Sequence, residues 1–312
     1  MKVILDVDTG IDDALAIAHA LGLPELELIG ISTGFGNVLA AQATKNTLNI
    51  LELLGAADDV PVYQGALCPW GESDYTVKPF LHRIHGKNGL ANIELGEPVH
   101  QKQEMSAVDF LIESAKQYGK DLTLITVAAL TNLAEALQKD EKSIRKIGQI
   151  VTMGGAVTVN GNASPFAEGN VIRDPRAAKY VFESGLPITL VGLDVTMKTM
   201  FTGKHIEAWK DSGSRAHQVF KELTWYYYKN EYGMKDFGGA MHDALAVEAA
   251  AHPEVIKLRH PMHLTVETEG ISAGRTIGDR KKLLLPDKNI QVCLDVDNEA
   301  FMKSFMVSLN KI

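Results

Sequence analysis

Short apolar runs alternate with helix-period stretches over the first two thirds of this chain, and that alternation narrows the possible folds more than any other feature. Residues 3–7, 25–33, 60–63, 122–127, 149–153 and 187–193 read as strands. Between them, residues 12–21, 39–54, 105–118, 133–138 and 174–184 read as helices, the last with Pro175 where a first helical turn tolerates proline. Strands joined through helices pair in parallel with right-handed crossovers. The expected fold is therefore α/β: a doubly wound, mostly parallel sheet flanked by helices. Residues 204–251 add a mostly helical segment in the C-terminal third, and the last quarter supplies a few strands and a closing helix. No repeat, low-complexity tract or linker interrupts the pattern, so residues 1–312 are expected to form a single domain. Residues 65–103 show little periodicity and read as a long loop, a length that in compact domains tends to serve function.

Charge and composition exclude several roles. A formal net charge of −8 argues against a nucleic-acid backbone or an anionic membrane as the main partner. No apolar run approaches the roughly 18 residues that a membrane span needs. The chain passes from Met1-Lys2 straight into its first strand, which leaves no room for a signal peptide. Two cysteines, Cys68 and Cys293, make a disulfide framework unexpected and a reducing cytoplasm the default location.

Chemistry concentrates at the first strand end. In Leu5-Asp6-Val7-Asp8-Thr9-Gly10-Ile11-Asp12-Asp13 four carboxylates fall within eight residues, at the carboxyl end of a strand, where open α/β sheets bind ligands. Any one of them could be a helix cap or a backbone acceptor. Four together are costly, because two carboxylates about 4 Å apart repel by roughly 4 kcal/mol at an effective dielectric near 20. A cation removes that cost, and an all-oxygen donor set selects Ca²⁺ or Mg²⁺ rather than zinc.

Other polar residues recur at later strand ends: Asn37, the turn from Val127 to Asn132, Met153, and Asn162, Glu168 and Asn170. A single Asn there could bond only its own turn. Three polar residues around a proline-containing loop suit a polyhydroxylated ligand. His242-Asp243 opens a late helix, where Asp243 could be a cap and His242 a satisfied core residue. If Asp243 instead joins Asp8 and Asp13 on a metal, His242 enters the pocket beside it, and a ring near its reference pKa of about 6.5 could donate a proton. His85-Gly86 is a further candidate. Trp225-Tyr226-Tyr227-Tyr228 and Tyr232 read as core packing, from which one ring could close over a flat base.

With these pieces in this order, the chain resembles the inosine-uridine-preferring nucleoside hydrolases, which split ribonucleosides into ribose and base. The likeness rests on Asp6-Val7-Asp8-Thr9-Gly10-Ile11-Asp12-Asp13, Gly36-Asn37, His85-Gly86 with Gly89-Leu90, and Leu130-Thr131-Asn132. It continues through Met153-Gly154-Gly155, Asn162, Glu168-Gly169-Asn170 with Asp174-Pro175, and His242-Asp243. The resemblance implies one Ca²⁺ held by Asp8, Asp13, the backbone carbonyl of Val127 and Asp243. It further implies a ribose gripped by Asp12, Asn37, Asn162, Glu168, Asn170 and Met153, and a homo-oligomer, dimer or tetramer. His85, Tyr228 and Tyr232 are the candidates for contacting the base. Ala128-Ala129 stands where relatives usually carry Gly-Pro, and Asn88 where an acidic residue is common, so the Val127 turn and the His85 loop are expected to differ.

The expected reaction is hydrolysis by a Ca²⁺-bound water. Calcium is too weak a Lewis acid to ionise that water alone, so Asp8 is expected to act as general base and His242 as acid for the leaving base. Two other readings are open: an Mg²⁺-dependent Asp-x-Asp phosphohydrolase built on Asp6 and Asp8, and a nucleoside-binding protein without catalysis. The first also needs a phosphate-binding Lys and a second acidic pair, which the sequence does not place.

Overall fold

A computed structural model describes residues 1–209, 213–232, 239–282 and 284–311. In chain order it runs β1 (Lys2–Val7), α1 (Ile11–Gly22), β2 (Glu27–Thr33), α2 (Ala40–Leu53), β3 (Val62–Gln64), α3 (Pro79–His85), α4 (Ala107–Tyr118), β4 (Leu122–Thr126) and α5 (Thr131–Lys139). There follow β5 (Gln149–Met153), α6 (Gly169–Arg173), α7 (Pro175–Glu183), β6 (Ile188–Val191), α8 (Leu193–Thr196), α9 (Arg215–Tyr232) and α10 (His242–Ala251). The chain closes with β7 (Ile256–Met262), β8 (Ile290–Val296) and α11 (Asn298–Leu309), and further short elements fill the intervals.

Eight strands form one sheet in the order β3-β2-β1-β4-β5-β6-β8-β7. Every pairing is parallel except β8 with the edge strand β7. The expected doubly wound α/β architecture is therefore the observed one. Central strands are apolar on both faces because helices cover both faces. Val3, Leu5 and Val7 of β1 enter one core with α1, α10 and α11, whereas Ile4 points to the other with α4, α5 and α7. All four are fully buried.

Strand order reverses between β1 and β4, and the helices that follow those two strands, α1 and α5, lie on opposite faces. A crevice opens there at the carboxyl ends of the strands. The helix boundaries follow local capping: Ser106 accepts from Asp109 N–H ahead of α4, Glu168 caps α6, and Asp174 accepts from Ala177 N–H ahead of α7. One expectation needs adjusting. The region read as one long loop contains α3, a single short helix with Pro79 at its first turn. α6, immediately before Asp174, carries no periodic signal because it is only five residues long.

Candidate active site

Asp13, in the first turn of α1, is fixed by the backbone of the turn that precedes it. Its Oδ1 accepts from Asp8 N–H (3.1 Å), and its Oδ2 accepts from Gly10 N–H and Asn37 Nδ2 (both 2.9 Å). Asp8 turns toward the loop after β2: its Oδ2 accepts from Asn37 N–H (2.8 Å) and its Oδ1 from Asn37 Nδ2 (3.0 Å). Gly36 permits this approach, since a Cβ there would lie 1.7 Å from Asp8 Oδ2. Asp243 arrives from the first turn of α10 on the far side. Asp12, Asp13 and Asp243 each offer an oxygen within 4.8 Å of the others. Asp8 lies beside this trio, with its oxygens engaged by Asn37 and by Arg173 Nη1 (2.9 Å).

Further hydrogen bonds tie the remaining strand ends to this floor. Asn170 Nδ2 donates to the carbonyls of Val127 (2.9 Å) and Met153 (3.1 Å), joining β4 to β5. Glu168 accepts from the N–H groups of Gly155, Asn170 and Val171, and Asn162 Oδ1 accepts from Gly169 N–H. His85, at the end of α3, accepts from Ile11 N–H through Nδ1 (3.2 Å) and faces the Tyr227 ring at 5.7 Å. His242 is held through Nδ1 by Thr196 Oγ1 of α8 at 2.8 Å.

The electrostatics are those of a cluster short of positive charge. Burial, followed by repulsion from Asp8, pushes the Asp12 carboxyl up to about 7. Burial and the neighbouring carboxylates drive Asp13 and Asp243 well above the usual range. Asp8 is also raised, because burial outweighs the Arg173 charge and the Asn37 bonds. Asp12 Oδ1 is buried without a hydrogen-bond partner. Burial lowers His85 to about 3 and His242 to about 4, so the expectation of a His242 near its reference value is corrected: desolvation keeps the ring neutral at pH 7.

A cleft of about 1070 Å³ opens above these groups. Seven of the nine residues expected to contact substrate line it: Asp12, Asn37, His85, Met153, Asn162, Glu168 and Asn170. Val127, His242 and Asp243 line it too, while Asp8 and Asp13 lie fully buried at its floor. Tyr228 is placed elsewhere. It is 7% exposed and packs edge-on to Trp225 at 6.0 Å, and the phase of α9 turns Tyr227 to the cleft instead. The Tyr232 side chain lies outside the described residues.

Other pieces of the sequence pattern hold the frame. Asp6 Oδ1 accepts from Ser32 Oγ (2.5 Å) and Asn132 Nδ2 (2.8 Å). Asp174 accepts from Trp70 N–H and Thr131 Oγ1, both at 2.7 Å, as well as capping α7. Two residues at the site went unmarked in the sequence. Arg173 gives only a lone cation three places after Asn170. Thr196 is one hydroxyl just past an apolar strand.

The family model for inosine-uridine preferring nucleoside hydrolases matches residues 3–303. A purine-preferring ribonucleoside hydrolase from Gardnerella vaginalis superimposes with a TM-score of 0.96 at 41% identity, covering 100% of this chain and 98% of that one. Uridine nucleosidase 1 of Arabidopsis thaliana is 35% identical over 89% of this chain and 82% of its own length. A non-specific ribonucleoside hydrolase of Klebsiella pneumoniae is 35% identical over 97% and 96%. The sheet order, the carboxylate floor and these likenesses agree: the chain belongs to the inosine-uridine preferring nucleoside hydrolase family and is a ribonucleoside hydrolase.

Proposed function

We propose that this chain, acting as one domain over residues 1–312, hydrolyses the bond between C1′ of a ribonucleoside and its base nitrogen, with Asp8 as general base and His242 serving the departing base. The observation that carries the reading is the trio Asp12, Asp13 and Asp243, the last two buried and Asp12 half-buried, at the floor of a cleft walled by amides and imidazoles. A divalent ion fits the residues present: the unpartnered Asp12 Oδ1 and the raised carboxyls call for positive charge, and hard oxygen donors favour Ca²⁺. Asp8, Asp13, Asp243 and the Val127 carbonyl would hold it. When bound, such an ion neutralises the cluster and supplies Lewis acidity to water and to the vicinal hydroxyls of the sugar.

The chain's own groups do the rest. Asn37, Asn162, Asn170 and Met153 orient the ribose, with Asp12 accepting from a hydroxyl at the cleft floor. Asp8 takes a proton from water as the new C1′–O bond forms and the C1′–N bond breaks. The electron pair of the broken bond leaves on the base. Glu168, bonded by three backbone N–H groups, places negative charge beside the oxocarbenium-like sugar. His242, anchored by Thr196 through Nδ1, offers its Nε2–H to the base nitrogen as charge builds there. His85 and Tyr227 wall the base. The reading extends to a cytoplasmic homo-oligomer. The two free cysteines suit a reducing compartment, and velocity sedimentation tests the assembly.

The deciding experiment incubates chelator-treated protein, with and without Ca²⁺, with inosine, adenosine, guanosine, uridine, cytidine and their deoxy forms. Released base and reducing sugar are followed. Calcium-dependent cleavage of ribo- but not deoxyribonucleosides is expected. Phosphate release from sugar phosphates with no nucleoside cleavage would replace this reading by the phosphohydrolase one.

A further inference from the structure

Arg173 ends α6 with its side chain only 11% exposed, and its guanidinium lies among the groups that the proposed reaction uses. Nη1 donates to Asp8 Oδ2 (2.9 Å) and Asn170 Oδ1 (2.5 Å), and Nη2 donates to Asn37 Oδ1 (2.6 Å). One side chain therefore occupies a carboxylate assigned to the ion and two amide oxygens assigned to the sugar. Although burial opposes its charge, the carboxylates around it, Asp8 first, hold the guanidinium more firmly protonated than usual. The fork is matched to these acceptors in a way that a point charge would not be.

A divalent ion bound beside Asp8 repels this guanidinium and competes with it for the same carboxylate, while ribose hydroxyls compete for Asn37 and Asn170. We propose that Arg173 is a resident counterion that metal and ribose must displace. Its fork ties Asp8, Asn37 and Asn170 into one network. When the site fills, its head withdraws into the cleft that it already lines, on the side of Tyr75. Ion affinity is then set below what the carboxylates alone would give. The inference rests on the metal reading of the proposed function, and makes Arg173 a positioning residue rather than a catalytic one.

The test is calorimetric titration of Ca²⁺ into chelator-stripped protein without substrate, alongside melting of the ion-free and loaded forms. Removing one adjacent positive charge should make Arg173→Gln bind Ca²⁺ about tenfold more tightly or better. Its ion-free form should melt below wild type, and its loaded form close to loaded wild type. Arg173→Lys keeps a charge but loses the fork, so it should bind about threefold more tightly. It also serves as the reporter if ion-free Arg173→Gln does not fold. Unchanged or weaker binding by a folded variant overturns the counterion role. Absence of Ca²⁺ binding by wild type rejects the metal centre and this inference with it, whereas wild-type binding with unchanged variants rejects this inference alone.

Discussion

Replacing Asp243 by Asn should stabilise the ion-free protein while abolishing its response to calcium. Asp243 presents an oxygen within 4.8 Å of both Asp12 and Asp13. A fully ionised pair at that separation costs roughly 3.5 kcal/mol at an effective dielectric near 20. Neither Asp243 nor its partners are fully ionised at neutral pH, since burial and mutual repulsion push Asp12 up to about 7 and Asp13 and Asp243 well above the usual range. The recoverable part is then about 1–3 kcal/mol. Asn preserves the shape, and among the described residues no hydrogen bond to the Asp243 carboxylate is lost. At about 2 °C per kcal/mol for a chain of this size, the ion-free variant should melt roughly 2–6 °C above wild type. Calcium at 100 times its dissociation constant should stabilise wild type by about 2.7 kcal/mol and leave the variant unmoved. Scanning calorimetry of chelator-treated protein, with and without Ca²⁺, measures both. An ion-free variant melting below wild type, or one still stabilised by calcium, would refute the view that these carboxylates are assembled for an ion rather than for the fold.

Thr196→Val removes the 2.8 Å bond that orients His242 while keeping the side chain's shape. A loss of about 1 kcal/mol, roughly fivefold in kcat, is expected on natural ribonucleosides and little on a nitrophenyl riboside; equal losses on both would remove Thr196 from a role in leaving-group departure. Asn132→Leu strips the Asp6 carboxyl of a buried donor and leaves Ala66 N–H without its acceptor, which should cost about 2–4 kcal/mol in urea melts and barely alter Ca²⁺ affinity. Toward the other end of α10, burial would raise the Glu248 carboxyl, but bonds from His19 and Ser304 and the His252 interaction bring it below its usual value. A depressed carboxyl stabilises the fold above its unfolded value of about 4.5, and that contribution disappears as pH falls through the folded value. Glu248→Gln should therefore cost about 1–3 kcal/mol at pH 7 and progressively less below pH 4.5, as read by melts across pH; a gap that widens in acid would show the sign to be wrong.

Much of the frame was legible because it is written in long periodic segments. The runs at 122–127 and 149–153 differ from β4 and β5 by at most one residue, and their apolar content follows from helices on both faces. The short pieces were not legible. α3 and α6 are seven and five residues long, too short to show a helical period, yet they carry His85 and Arg173 to the cleft. Tyr228 shows the same limit from the other side: spacing identified an aromatic stripe on α9, but it takes the packing of Tyr228 against Trp225 to show that, among the described side chains of that stripe, Tyr227 is the one lining the cleft. Asp6 and Asp8, two residues apart in the sequence, part company at the strand end. Asp6 still lies within β1 and is captured by Ser32 and Asn132, whereas Asp8 lies past the strand end and turns to Asn37 and Arg173. The electrostatic cost that marks the carboxylate group in the sequence acts in the structure on top of burial: burial first, then mutual repulsion, raises Asp12, Asp13 and Asp243 above their usual range, burial alone raises Asp8, and the Arg173 charge offsets part of the rise at Asp8 and Asp12. A fold selected only for stability would have placed amides at these positions. Acids there instead, in the loop and first helical turns at the floor of a cleft, are what a site that must attract a cation requires.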